Sequence, residues 1–126
     1  MGTYKGGSPT YRKLQENYDK IKESYPVSNG YIGMVGLSGK SHIREISTSD
    51  PIREAQKLYD TIAYGGIESN LPNGKGIYTV MKDGSVITFR VITSTKGSPA
   101  VDINIKHSTS YNSFKTQKIH FTKEMN

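Results

Sequence analysis

Apolar residues recur along this chain first at the spacing of a helix and then at that of a strand. Tyr11, Leu14, Tyr18, Ile21 and Tyr25 lie three or four residues apart, one stripe of a helix from Thr10 to about Tyr25. Ser8 or Thr10 caps its start and Pro26 stops it. Asp50-Pro51 opens a second helix, with Asp50 as N-cap and Pro51 at its first position. Its apolar face is Ile52, Ala55, Leu58, Tyr59 and Ile62, and Gly65-Gly66 ends it. A third, short helix is expected from Ser41 to Ile46.

From residue 77 the period changes to two. Ile77–Met81 and Val86–Thr93 flank Asp83-Gly84, a strong hairpin signal. Ala100–Lys106 and Thr116–Thr122 make two further strands. The expected fold class is α+β: two or three N-terminal helices packed on a four-stranded antiparallel β-meander. Residues 1–9, rich in Gly and closed by Pro9, read as a flexible lead-in to a single domain at 10–126.

Strand parity divides the sheet into two faces. Ile87, Phe89 and Val91, then Val101, Ile103 and Ile105, then Ile119 and Phe121 form an apolar face for the helices to cover. The other face carries Thr88, Arg90, Ile92 and Ser94, then Asp102, Asn104 and Lys106, then Lys118, His120 and Thr122. Such a surface suits phosphate: Arg90 and the lysines hold charge, and His120 moves a proton near neutral pH. An ordinary solvated sheet face would also show Lys and Thr. For any single residue that bland reading is the better one; the combination of Arg, His, Asp and two Lys leaves the two readings evenly balanced.

Charge sharpens the picture. The chain carries 17 Lys plus Arg against 11 Asp plus Glu, a net +6. The second half holds 8 basic and 4 acidic residues, the first half 9 and 7. A cationic surface poor in acids suits a phosphate-bearing partner, and from charge alone it is equally well read as ordinary solubility charge. No apolar run approaches the roughly 20 residues a membrane-spanning helix needs, and no membrane partner is expected.

Several chemistries are excluded. Without Cys there is no disulfide scaffold, cysteine nucleophile or zinc-thiolate site. Gly39-Lys40-Ser41 looks like the end of a P-loop, but Met34 stands where that loop needs its first Gly. No Gly-x-Ser-x-Gly elbow supports a hydrolase triad. The polar face offers Asp102 but no second carboxylate for a glycosidase. His42, His107 and His120 lack metal-ligand spacing, so no metal or cofactor is expected. His42, between Lys40 and Arg44, is a second acid–base candidate or a surface residue; His107 is read as a strand-end packing residue.

Helices followed by an antiparallel sheet, with basic residues and His on its open face, resemble the barnase–EndoU–colicin–RelE ribonuclease superfold. The stretch Asp83-Gly84-Ser85-Val86-Ile87-Thr88-Phe89-Arg90, then Ser94-Thr95, Pro99 and Asp102, is similar to C-terminal toxin domains of bacterial polymorphic toxins, of the contact-dependent-inhibition or type VII-like kind. The resemblance implies a secreted antibacterial ribonuclease that acts in the target-cell cytoplasm. It implies a carrier polypeptide upstream, with residues 1–9 at the junction, and a cognate acidic immunity protein.

The expected chemistry is metal-independent RNA cleavage, plausibly of tRNA: the 2′-OH attacks the adjacent phosphate and leaves a 2′,3′-cyclic phosphate. His120 or His42 transfers protons. Arg90 and Lys96 stabilise phosphate charge, and Ser94 and Thr95 orient it. Asp102 fixes a His or Arg or is a buried structural carboxylate, and it is counted with Lys40, Lys96, Lys106 and Lys118 among the substrate-binding residues. Two rivals remain. A binding module would grip nucleic acid without cleaving it, and would more often carry stacking aromatics. A DNase would usually want a metal site.

Overall fold

The computed structural model describes residues 3–4, 14–36, 38–91, 98–105 and 114–124. Within them, β1 (Thr3–Tyr4) precedes α1 (Gln15–Ser24), and three two-residue strands follow: β2 (Val27–Ser28), β3 (Tyr31–Ile32) and β4 (Met34–Val35). Then come β5 (Ile43–Thr48), α2 (Pro51–Ile62), β6 (Ile67–Asn70) and β7 (Ile77–Val80). The chain continues through β8 (Val86–Arg90), β9 (Ala100–Asn104) and β10 (Gln117–Lys123).

The main sheet runs β6-β7-β8-β9-β10-β5-β4, and the short β1 pairs with β6 at its far edge. β10 pairs with β5 in parallel; its other neighbour, β9, is antiparallel, so the sheet is mixed. β2 and β3 form a separate hairpin across Asn29-Gly30, whose φ values of 54° and 84° suit a tight primed turn. This overturns the expected four-stranded antiparallel meander behind two or three helices. The four expected strands exist, but they are part of a larger sheet. Two helices are present among the described residues, and α2 sits between strands.

The error centres on residues 41–46, which form a turn and most of β5 rather than a helix. Ile43 and Ile46 are three apart, which reads as helical. In the strand they lie on opposite faces, and the inward position between them is taken by Arg44, 8% exposed. A buried arginine erases the two-residue alternation that marks a strand. β6 was missed for a related reason: Ile67-Glu68-Ser69-Asn70 has a single apolar residue.

Helix α2 forms as its sequence dictates. Asp50 Oδ1 accepts from the Arg53 amide at 3.3 Å, and Pro51 occupies the first turn. Ala55, Leu58, Tyr59 and Ile62 are fully buried, while Ile52, expected on the same face, is 52% exposed. The helix packs across β5, β8, β9 and β10, and α1 packs on α2. From α1, Leu14, Tyr18 and Ile21 enter the core; Tyr11 and the proposed caps Ser8 and Thr10 lie outside the described residues. Ile87, Phe89, Val101, Ile103, Ile105, Ile119 and Phe121 join the core, as parity requires; Val91, expected with them, is 39% exposed.

Two buried amides lock this arrangement. Asn17 Nδ2 donates to the Ile62 and Tyr64 carbonyls at 2.8 and 2.9 Å, capping the C-terminus of α2 from α1. Gln117 Oε1 accepts from the Ile32 amide, and its Nε2 donates to the Gly30 and Lys115 carbonyls. The second amide ties β10 to the β2–β3 hairpin. Asn17→Ala leaves two carbonyls without this donor and is expected to cost about 1–3 kcal/mol. A lowered urea midpoint at unchanged m-value checks it.

Candidate functional site

Among the described residues the helices lie on one face of the sheet; on the other, Thr88, Arg90, Asp102, Lys118 and His120 are half-buried and Ala100 is buried. Register brings the side chains of this second face into two rows. Arg90, Ala100, His120 and Glu45 stand opposite one another across β8, β9, β10 and β5. Thr88, Asp102, Lys118 and Ile43 form the next row. Arg90, Asp102, Lys118 and His120 are therefore brought together, as strand parity predicts. Glu45 is the addition: the parallel β5–β10 pairing sets a carboxylate beside the imidazole.

This face sinks into two adjoining concavities. One, of about 290 Å³, is lined by Lys40, His42, Glu45, Ser98, Lys118 and His120 among others. The other, of about 500 Å³, is lined by Thr88, Arg90, Asp102, Asn104 and Thr116 among others. His42, Ile43 and Lys118 border both. His42 thus belongs to the site although it lies in a turn, and its position comes from the start of β5.

His120 is the best-defined group. Its Nδ1 is 3.0 Å from the Ser98 hydroxyl, which orients the ring and leaves Nε2 for a ligand. Burial, and then the Lys118 charge, hold its pKa below the ordinary 6.5; Asp102 and Glu45 oppose the shift. Removing Lys118's charge should therefore raise it, and removing Glu45's should lower it further. The expected result is an NMR titration midpoint below pH 6.5, moved up by Lys118→Gln and down by Glu45→Gln. Because the folded value is the lower one, the unfolded chain takes up the proton first as pH falls. Stability from this group is intact above pH 6.5 and declines as pH falls from there through the folded value.

Arg90 Nε contacts Asp102 Oδ2 at 3.3 Å, with the side chains 39% and 29% exposed. Asp102 fixes the arginine, one of its expected roles; a half-exposed pair of this kind adds little stability and mainly sets orientation. Ser94, Thr95, Lys96 and Lys106 lie outside the described residues, as does His107. Ser98, from the same loop, supplies a hydroxyl that sequence reasoning did not single out. Among the described residues, no cluster of three or more His, Asp or Glu side chains is arranged to hold a metal ion. No helix there is long and apolar enough to cross a membrane.

No protein-family model matches the chain, and neither a curated protein nor a solved structure matches it. Function is therefore argued from the site itself.

Proposed function

We propose that the protein is an endoribonuclease that cleaves by 2′-OH transesterification without a metal. The observation that carries this reading is the row Arg90–Ala100–His120–Glu45, with Lys118 one row away. An imidazole neutral at pH 7, beside a carboxylate and on the same sheet face as two cations, matches what the reaction requires.

Neutral His120 takes the 2′-OH proton on Nε2 as the 2′-oxygen bonds to phosphorus. Glu45 stabilises the imidazolium that forms, and Ser98 holds the ring's orientation. His42 gives a proton to the departing 5′-oxygen as its P–O bond breaks. Lys118 and Arg90 balance the charge gathering on the phosphate oxygens. The products are a 2′,3′-cyclic phosphate and a 5′-hydroxyl.

On this reading the chain acts as an antibacterial toxin on RNA, with tRNA one candidate substrate. It is delivered from its producer by a carrier polypeptide into the target-cell cytoplasm. An acidic immunity protein covers the cationic face in the producer. Incubation with total RNA in EDTA tests the activity. Cyclic-phosphate ends are expected; intact RNA with retained binding would replace the enzyme by a nucleic-acid-binding module.

A further inference from the structure

We infer that the larger concavity is a nucleobase subsite, selective for bases that present an amino group, and that the smaller one holds the phosphate being cleaved. The inference rests on the ribonuclease reading and adds to it which part of the substrate each half of the cleft takes.

The two halves differ in hydrogen-bonding character. The smaller half has Lys40 and Lys118 against Glu45 and alone holds His120; His42 borders both. The phosphate being cleaved therefore lies there, and the larger half takes the part of the nucleotide beside it. In the larger half Arg90 meets Asp102 through one contact, Nε to Oδ2 at 3.3 Å, so Asp102 Oδ1 remains an acceptor and the rest of the guanidinium remains for the adjoining phosphate. A carboxylate in a binding site calls for N–H donors. Asn104, Thr88 and Thr116 add both donors and acceptors around it. Ile43 and Val86 supply apolar surface for a ring. That mixture fits a flat heterocycle with an exocyclic amine: adenine, cytosine or guanine rather than uracil. Lys118, shared by both halves, stands where a base and its adjoining phosphate meet.

Dinucleoside monophosphates test this. The 2′-deoxy forms cannot undergo 2′-OH attack and so report binding alone. They are compared with adenine, cytosine, guanine, uracil or no base, placed at either position in turn. At one position the amino-bearing bases are expected to bind about tenfold or more tighter than uracil or the abasic sugar. Asp102→Asn should remove most of the gap between amino bases and uracil. Asn104→Ala, at an exposed strand end, should alter the same preference without threatening the fold. Equal binding of the abasic compound overturns the inference, as does Asp102→Asn weakening every base by one factor. The ribo counterparts separate the two readings. Cleavage without base preference removes the subsite and keeps the ribonuclease. Base-dependent deoxy binding with intact ribo compounds keeps the subsite and removes the ribonuclease.

Discussion

His120→Ala is expected to slow RNA cleavage by about 10²–10⁴-fold, the share a positioned acid–base group supplies. The thermal midpoint should barely move, because the ring is only partly buried and its recorded partner is one hydroxyl, Ser98. Glu45→Gln tests a different role. If the carboxylate acts through His120, its loss lowers the rate and also lowers the pKa of the ring, since Glu45 favours the charged form. The acid limb of the pH–rate profile, where the base becomes protonated, therefore moves to lower pH. Lys118→Gln should move the same limb upward, by the opposite electrostatic sign, while weakening phosphate binding. Full activity in His120→Ala, or an unmoved limb in both neighbours' variants, would remove these assignments.

The sheet face was legible where strands alternate cleanly and illegible where they do not. β8, β9 and β10 each carry two or three apolar residues at every second position. Their parity alone puts Arg90, Asp102, Lys118 and His120 on one face. β5 has no such alternation, because Arg44 points into the core and Ile43 to the opposite face. The misread strand concealed Glu45 and, with it, the parallel pairing that places a carboxylate beside His120. One signal was present. Ile43, Ile46 and Thr48 are β-branched, which favours a strand, and the run closes on Asp50-Pro51, the start of the next helix. Long-range pairing was beyond sequence reading for another reason. β5 and β10 meet only after α2 and four further strands have been laid down, and no local pattern encodes that return. Ser98 carries no parity signal because it precedes β9 in a loop; the register, with Pro99 accepting from the Phe121 amide, brings it to the histidine.

Arg44 links this hidden strand to the stability of the site. Its Nε donates to the Ile32 carbonyl at 3.1 Å, Nη2 to Gly33 at 2.7 Å and Nη1 to Ser41 at 3.2 Å. The guanidinium also lies 5.2 Å from the centre of the Tyr31 ring. One planar fork thus pins the segment around β3 and the turn that carries His42. Gly33 makes the fit possible. Its φ is +74°, and an added Cβ would come within 2.8 Å of the Glu45 carbonyl. Arg44→Ala leaves one buried and two partly buried carbonyls unanswered, which should cost on the order of 3–5 kcal/mol in all. At this chain length that lowers the thermal midpoint by roughly 10 °C or more. Arg44→Lys keeps the charge but has no fork to serve three carbonyls at once. If geometry rather than charge is what the site needs, the lysine variant falls nearly as far as the alanine. Cleavage should fall with it even below the melting range, because Glu45 and His42 are positioned by the same short stretch of backbone. A lysine variant with wild-type stability would show that charge alone suffices and that the fork does not hold the rim of the cleft.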